Sequence, residues 1–145
     1  MDDFKLYNDT YGHAEGDELL KTLVATVADA IRTTDVLARY GGEEFVVLLP
    51  ETDLPEAIQT GERIREAVKD RFAVEGGAAD PKMGSGTVTV SVGVAAAFDE
   101  KYAGGPSLLE RADAVMYEAK RQGKDRVVAD DTAALTSPEA EWATG

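Results

Sequence analysis

The apolar positions of the chain change period several times, and each change marks an element. From about Glu15 to Arg32, Leu19, Leu20, Leu23, Val24, Val27 and Ile31 recur every three or four residues. That spacing puts them on one stripe of an α-helix. Gly16-Asp17 sits near its start, where an acidic residue complements the positive helix end. Val36-Leu37-Ala38 and Val46-Val47-Leu48-Leu49 are short aliphatic runs bounded by turn residues, so both predict strands. Gly41-Gly42 between them predicts a hairpin turn in which glycine accepts a positive φ. Pro50 ends the unit, because proline cannot donate to a ladder.

A second helix is predicted over Pro55–Arg71, with Pro55 in the first turn and Ala57, Ile58, Ile64, Ala67 and Val68 on one face. Phe72-Ala73-Val74 reads as a short strand, and 75–86 as a loop by composition. Thr87 to Val94 alternates with period two, the pattern of a half-buried strand. A third helix is predicted over Ser107–Gln122, with Leu108, Leu109, Ala112, Val115, Met116, Tyr117 and Ala119 in its core and Gly123 as its stop. Arg126–Ala129 makes a last strand. Residues 1–13 read as polar and turn-like, and 131–145, Trp142 included, as a polar tail after a domain of 1–130. Helices alternating with strands predict an α/β fold with a mixed sheet.

The 145 residues suit one domain with a usable core. Cysteine is absent, which excludes disulfides and thiolate metal sites and fits a cytoplasmic setting. No apolar run is long enough to cross a bilayer. A formal charge of −13 disfavours broad nucleic-acid binding and contact with anionic membranes. A small anionic ligand held by a few lysines and a divalent cation remains compatible with it.

The candidate chemistry lies in Arg39-Tyr40-Gly41-Gly42-Glu43-Glu44-Phe45. Two adjacent carboxylates beside side-chain-free backbone suit a hard metal ion and a phosphate. With the other motifs, this stretch resembles the GGDEF family, the diguanylate cyclases. Asp2-Asp3-Phe4-Lys5 matches the family's Asp-x-Phe-Lys. Asn8, Asp9, Gly12, His13, Gly16 and Asp17 match its next motif. Gly41-Gly42-Glu43-Glu44-Phe45 is the signature, and Arg32-Thr33-Thr34-Asp35 lies just upstream of it. Arg111-Ala112-Asp113, Met116-Tyr117, Ala119-Lys120 and Gly123-Lys124 close the domain.

The resemblance implies a palm-like nucleotidyl cyclase fold, with a mainly antiparallel central sheet flanked by helices. It implies that two GTP molecules, one per domain of a homodimer, are condensed into cyclic di-GMP and pyrophosphate with Mg²⁺ or Mn²⁺. Glu43 becomes a metal ligand and Glu44 the residue that helps activate the 3′-hydroxyl. Met1 supplies a backbone carbonyl to the metal. Asn8 and Asp17 become the guanine pair. Asp3, Phe4, Gly42, Lys120 and Lys124 become phosphate or substrate contacts. Lys124 stands where arginine is common, which replaces a planar fork by a point charge. Arg32, Asp35 and Arg63 become an inhibitory product site, and His13 a packing or capping residue. An upstream sensor domain would supply the input signal.

In the family pattern, an apolar central strand leads into Asp-x-Asp-x-Phe-Lys. Asp2 corresponds to the later Asp, so that strand and the first Asp, a metal carboxylate, fall before Met1. The resemblance therefore predicts a gap at the middle of the sheet and weak or absent activity for residues 1–145 alone. The competing readings are a non-enzymatic cyclic di-GMP or GTP receptor and another nucleotidyl transferase of related fold.

Overall fold

The helical stripe of leucines and valines becomes the centre of the molecule. The computed structural model describes residues 1–73, 88–97 and 107–131. In order these form α1 (Phe4–Tyr11), α2 (His13–Ala30), β1 (Val36–Arg39), β2 (Phe45–Leu48), α3 (Leu54–Arg71), β3 (Ser91–Val94), α4 (Leu108–Arg121) and β4 (Arg126–Ala129). Leu19, Leu20, Leu23 and Val27 of α2 are buried against Ile64 and Val68 of α3, with Met1 and Val90. Each such side chain contributes about 1.5–3 kcal/mol on burial. Val24, on the same predicted stripe, is exposed instead.

β1 and β2 pair antiparallel with Val36 opposite Leu48 and Arg39 opposite Phe45. Leu37, Phe45 and Val47 face the core, while Val36 and Leu48 face outward and are exposed. β3 and β4 pair parallel, with Ser91 opposite Arg126 and Val94 opposite Ala129. The strand set is mixed and the class α/β, but the described strands form two separate pairs rather than one sheet. Met1 and Asp2 lie between the pairs. Met1 N donates to the Glu43 carbonyl and Asp2 N to the Thr89 carbonyl, both at 3.0 Å.

The β3–β4 pair is held between α3 and α4, and two glycines allow it. A Cβ on Gly93 would lie 2.1 Å from the Ala112 carbonyl oxygen, so α4 rests on β3 backbone to backbone. On the other face, a Cβ on Gly61 would meet Val92, Val94 and Val127 at 3.3 Å.

Several expectations are corrected. Residues 4–11 form a helix, not a turn. Phe4 and Tyr7 pack on the core, and the Tyr7 and Tyr11 rings lie 4.7 Å apart one turn on. Tertiary packing here overrides the weak propensities of Asn8, Asp9 and Thr10. Phe72 caps α3 and Ala73 is not in a strand. α3 starts one residue early, because Asp53 accepts the Glu56 N–H at 2.9 Å. Only Ser91–Val94 of the predicted 87–94 strand is paired. Tyr117 is 64% exposed and Leu108 and Leu109 38% each, so none of the three is core. Leu108 and Leu109 sit in the first turn of α4, and helical periodicity alone does not say which apolar positions a neighbour covers. The bounds of α4 agree, and Ser107 and Glu110 form a reciprocal capping box there. Val74, the 75–86 loop, Thr87 and the 132–145 part of the tail lie outside the described residues.

Candidate active site

The signature loop is shaped by hydrogen bonds, not by unusual backbone. The N–H groups of Tyr40 and Gly41 donate to the Glu44 carbonyl at 2.8 and 3.1 Å. Arg39 closes the loop from below, with Nε 3.0 Å from the Gly41 carbonyl and Nη2 2.6 Å from that of Gly42. Neither Gly41 nor Gly42 has a positive φ, so the expected reason for glycine there is corrected. A Cβ on Gly42 would meet nothing within 4 Å. That glycine keeps a surface open instead of relieving strain.

The loop faces the start of the chain. Glu43 and Glu44 are half-buried, and Met1 lies against Glu43. Burial pushes the Met1 amine below its ordinary 8.0, and the Lys120 charge adds to this; Asp2, Glu43 and Glu44 oppose it. Met1, Glu43, Glu44 and Lys120 therefore share one neighbourhood. Lys124 joins it from the α4–β4 turn, with Nζ 2.6 Å from Asp3 Oδ1. This contact raises the Lys124 pKa, chiefly through the hydrogen bond.

Asp2 is 6% exposed and fully engaged. It accepts from Thr89 Oγ1 at 2.8 Å, Ser91 Oγ at 2.6 Å and Asp125 N at 3.2 Å. These bonds join the N-terminal segment, β3 and the α4–β4 turn at one carboxylate.

Asn8 packs against Gly16, the residue before Asp17. A Cβ on Gly16 would fall 1.8 Å from Asn8 Oδ1, so Asn8 occupies the space a side chain would take. Asn8 Oδ1 is buried without a hydrogen-bond partner. Such an acceptor is costly unless a donor reaches it. Asp17, next along α2, is exposed. His13 is also exposed, as the first residue of α2.

A second cluster forms past the far end of α2, about 27 Å along an 18-residue helix. Asp35 accepts from Arg32 N at 2.8 Å and from its guanidinium at 3.3 and 3.4 Å. Arg32 Nη2 also donates to Thr52 Oγ1 at 2.6 Å. Arg63 Nε donates to the Ala30 carbonyl at 2.7 Å. Burial of the Asp35 carboxyl, 1% exposed, would raise its pKa. The Arg32 hydrogen bonds and the Arg32 and Arg63 charges outweigh burial and hold it below its ordinary value.

Sequence reasoning missed Asp125, Arg65 and Lys69, and gave Arg39 no role of its own. Asp125 takes ion pairs from Arg65 at 3.0 Å and Lys69 at 2.6 Å across about 60 residues of chain. No local motif signals such a pair. Arg39, adjacent to the signature, was open to suspicion as a residue two and three positions from two glycine carbonyls.

The donor set near Met1 is all oxygen: two carboxylates and a backbone carbonyl. Among the described residues, no three His, Cys, Asp or Glu side chains gather into a metal site. Oxygen donors of this kind suit a hard divalent cation. Among the described residues no helix is long and apolar enough to cross a membrane.

Comparison with known proteins identifies the family. The model of the "Diguanylate cyclase, GGDEF domain" family matches residues 1–126. Diguanylate cyclase A of Treponema denticola is 41% identical over 128 residues, which is 88% of this chain and 32% of that protein. Response regulator PleD of Caulobacter vibrioides is 42% identical over 129 residues, 88% of this chain and 27% of that protein. The chain thus spans a third or less of these relatives. Among solved structures, the coiled coil and GGDEF domain of DgcB from Caulobacter crescentus, in complex with c-di-GMP, superposes with a TM-score of 0.71. It is 31% identical, over 89% of this chain and 65% of that one. The active GGEEF domain of a diguanylate cyclase from Vibrio cholerae gives a TM-score of 0.69 at 31% identity, over 88% of this chain and 76% of that one. The chain belongs to the GGDEF family of diguanylate cyclase domains.

Proposed function

We propose that this domain condenses two GTP molecules into cyclic di-GMP and pyrophosphate, one GTP being held by each domain of a homodimer. The observation that carries the reading is the meeting of the Glu43-Glu44 loop with Met1, Lys120 and the Asp3–Lys124 pair. Carboxylates and ammonium groups at one place suit a triphosphate that arrives with a divalent cation. Mg²⁺ or Mn²⁺ would be held by Glu43 and the Met1 carbonyl, and would supply charge neutralisation at the phosphates. Asp3 and Phe4, at the start of α1, and Gly42 offer backbone to the phosphates. Lys120 and Lys124 place positive charge there. Asn8, with its unsatisfied acceptor, and Asp17 accept from the guanine N–H edge. Glu44 withdraws the 3′-hydroxyl proton as that oxygen attacks the α-phosphate of the partner's GTP.

Arg32, Asp35 and Arg63 form the product site, where guanidinium groups suit guanine edges and phosphates. Product bound there inhibits the domain, and an input domain elsewhere in the protein governs dimerisation. Residues 1–145 alone turn over slowly, because this reading gives the cation one carboxylate, Glu43, and the Met1 carbonyl as protein ligands.

The test is incubation of the chain with GTP and Mg²⁺, with cyclic di-GMP read by mass spectrometry. Slow product formation is expected, and none with Glu44→Ala, while that variant still binds GTP. Equal product from both removes the role of Glu44. Equal affinity of the wild type for ATP and GTP would overturn the guanine assignment. In calorimetry, Arg32→Ala is expected to abolish cyclic di-GMP binding; unchanged binding removes the product site.

A further inference from the structure

We infer that Asp125 is a positioning residue that fixes Lys124 for the triphosphate. The inference rests on the reading of Lys124 as a phosphate contact. Gly123, Lys124 and Asp125 have φ of 122, 65 and 44°, three left-handed residues in succession. Lysine and aspartate hold such backbone only where the surroundings impose it. Here the turn is tied down at several backbone groups. Lys124 N–H donates to the Ala119 carbonyl at 3.0 Å, and the Lys124 carbonyl accepts from Arg126 Nε at 3.0 Å. Asp125 N–H donates to Asp2 Oδ2 at 3.2 Å.

The Asp125 carboxylate is the one anchor from outside this neighbourhood. α3 grips it with Arg65 Nη1 at 3.0 Å and Lys69 Nζ at 2.6 Å. Arg65 is itself fixed by Glu62 at 2.8 Å and is mostly buried. Asp125 therefore couples the turn to a packed helix, while Asp2 couples it to β3. The result is a Lys124 ammonium placed beside Asp3, at the start of α1. A lysine on a loose turn would lose more conformational freedom on meeting a phosphate, and would bind it less well.

The test is calorimetric titration of the full chain with an α,β-methylene analogue of GTP, which cannot be cleaved, and separately with guanosine. Asp125→Gly keeps the left-handed backbone accessible and removes the carboxylate. It is expected to weaken the triphosphate analogue about tenfold, the scale of a lost charge-assisted hydrogen bond, and to leave guanosine unchanged. Asp125→Asn keeps an acceptor oxygen and tolerates the same backbone, so it should restore most of the affinity. In a Lys124→Ala background, Asp125→Gly should have no further effect. Lys69→Met, an exposed change, should weaken the analogue in the same direction by less, and serves if Asp125→Gly does not fold. Equal losses for the analogue and guanosine, or additive losses with Lys124→Ala, would overturn the inference. A wild type that binds guanosine and the analogue equally would instead overturn the role of Lys124, and the inference with it.

Discussion

Two turns bound the candidate site, and they solve opposite problems. The β1–β2 turn is rich in glycine yet uses no left-handed glycine. The α4–β4 turn puts lysine and aspartate in the left-handed region, after a single glycine. Composition would have assigned the strain the other way round. In the first turn, the Tyr40 and Gly41 N–H bonds to Glu44 and the Arg39 clamp set the path, and glycine leaves room above it. In the second, a network reaching from α3 to β3 holds a path that the residues themselves disfavour by about 1–3 kcal/mol each. An open turn suits backbone that a ligand must approach; a pinned turn suits a side chain that must not wander.

The largest effect should come from breaking the pinned turn at its glycine. Gly123→Ala places a Cβ at φ 122° and 2.9 Å from Arg126 Nη2. A loss of about 1–3 kcal/mol of stability is expected, read from a urea denaturation curve. A loss below about 0.5 kcal/mol would mean the turn relaxes freely. The matching change in the open turn, Gly42→Ala, meets no atom within 4 Å and needs no unusual φ. Its stability should stay within about 0.5 kcal/mol of wild type. Affinity for the uncleavable GTP analogue should fall by about fivefold, the equivalent of about 1 kcal/mol. If Gly42→Ala destabilises as much as Gly123→Ala, the contrast between the turns is wrong.

The smallest effect sharpens the electrostatic side. Burial would raise the Asp125 pKa, but the hydrogen bonds and charges of Lys69 and Arg65 outweigh it and hold it below the ordinary 3.8. A carboxylate with a depressed folded pKa stabilises the fold above its unfolded pKa, and that stability is lost as pH falls through the folded value. Wild type should therefore exceed Asp125→Asn in urea midpoint at pH 7. The gap should close as pH falls through 3.8 and below. A gap that persists at pH 2 would assign the difference to packing.

Much of the fold was legible because it follows from local periodicity. The buried stripe of α2, the α3 face, the β1–β2 pair, β4 and the Gly123 stop all follow from residues close in sequence. α1 was not legible, since its polar sequence is helical only because Phe4 and Tyr7 pack on a core assembled elsewhere. The exposure of Tyr117, Leu108 and Leu109 was not legible either, because periodicity alone does not say which apolar positions of α4 a neighbour covers. For the candidate site, motif spacing proposed Glu43, Glu44, Asn8, Asp17, Lys120 and Lys124. It could not find their supports, because Asp125, Arg65 and Lys69 signal nothing until α3 and the α4–β4 turn are folded together.

Spacing of residue types along the chain is enough to place α2, α3, α4 and the β1–β2 pair, to identify the family, and to propose carboxylates and lysines for its chemistry. Each of those rests on interactions within a few residues or on a motif read in order. How β3 pairs with β4, which face of α4 is covered, and which groups hold Lys124 in an unfavourable backbone state depend on contacts between residues far apart in the chain. Those contacts exist only once loop-closure entropy has been overcome by burial of the common core.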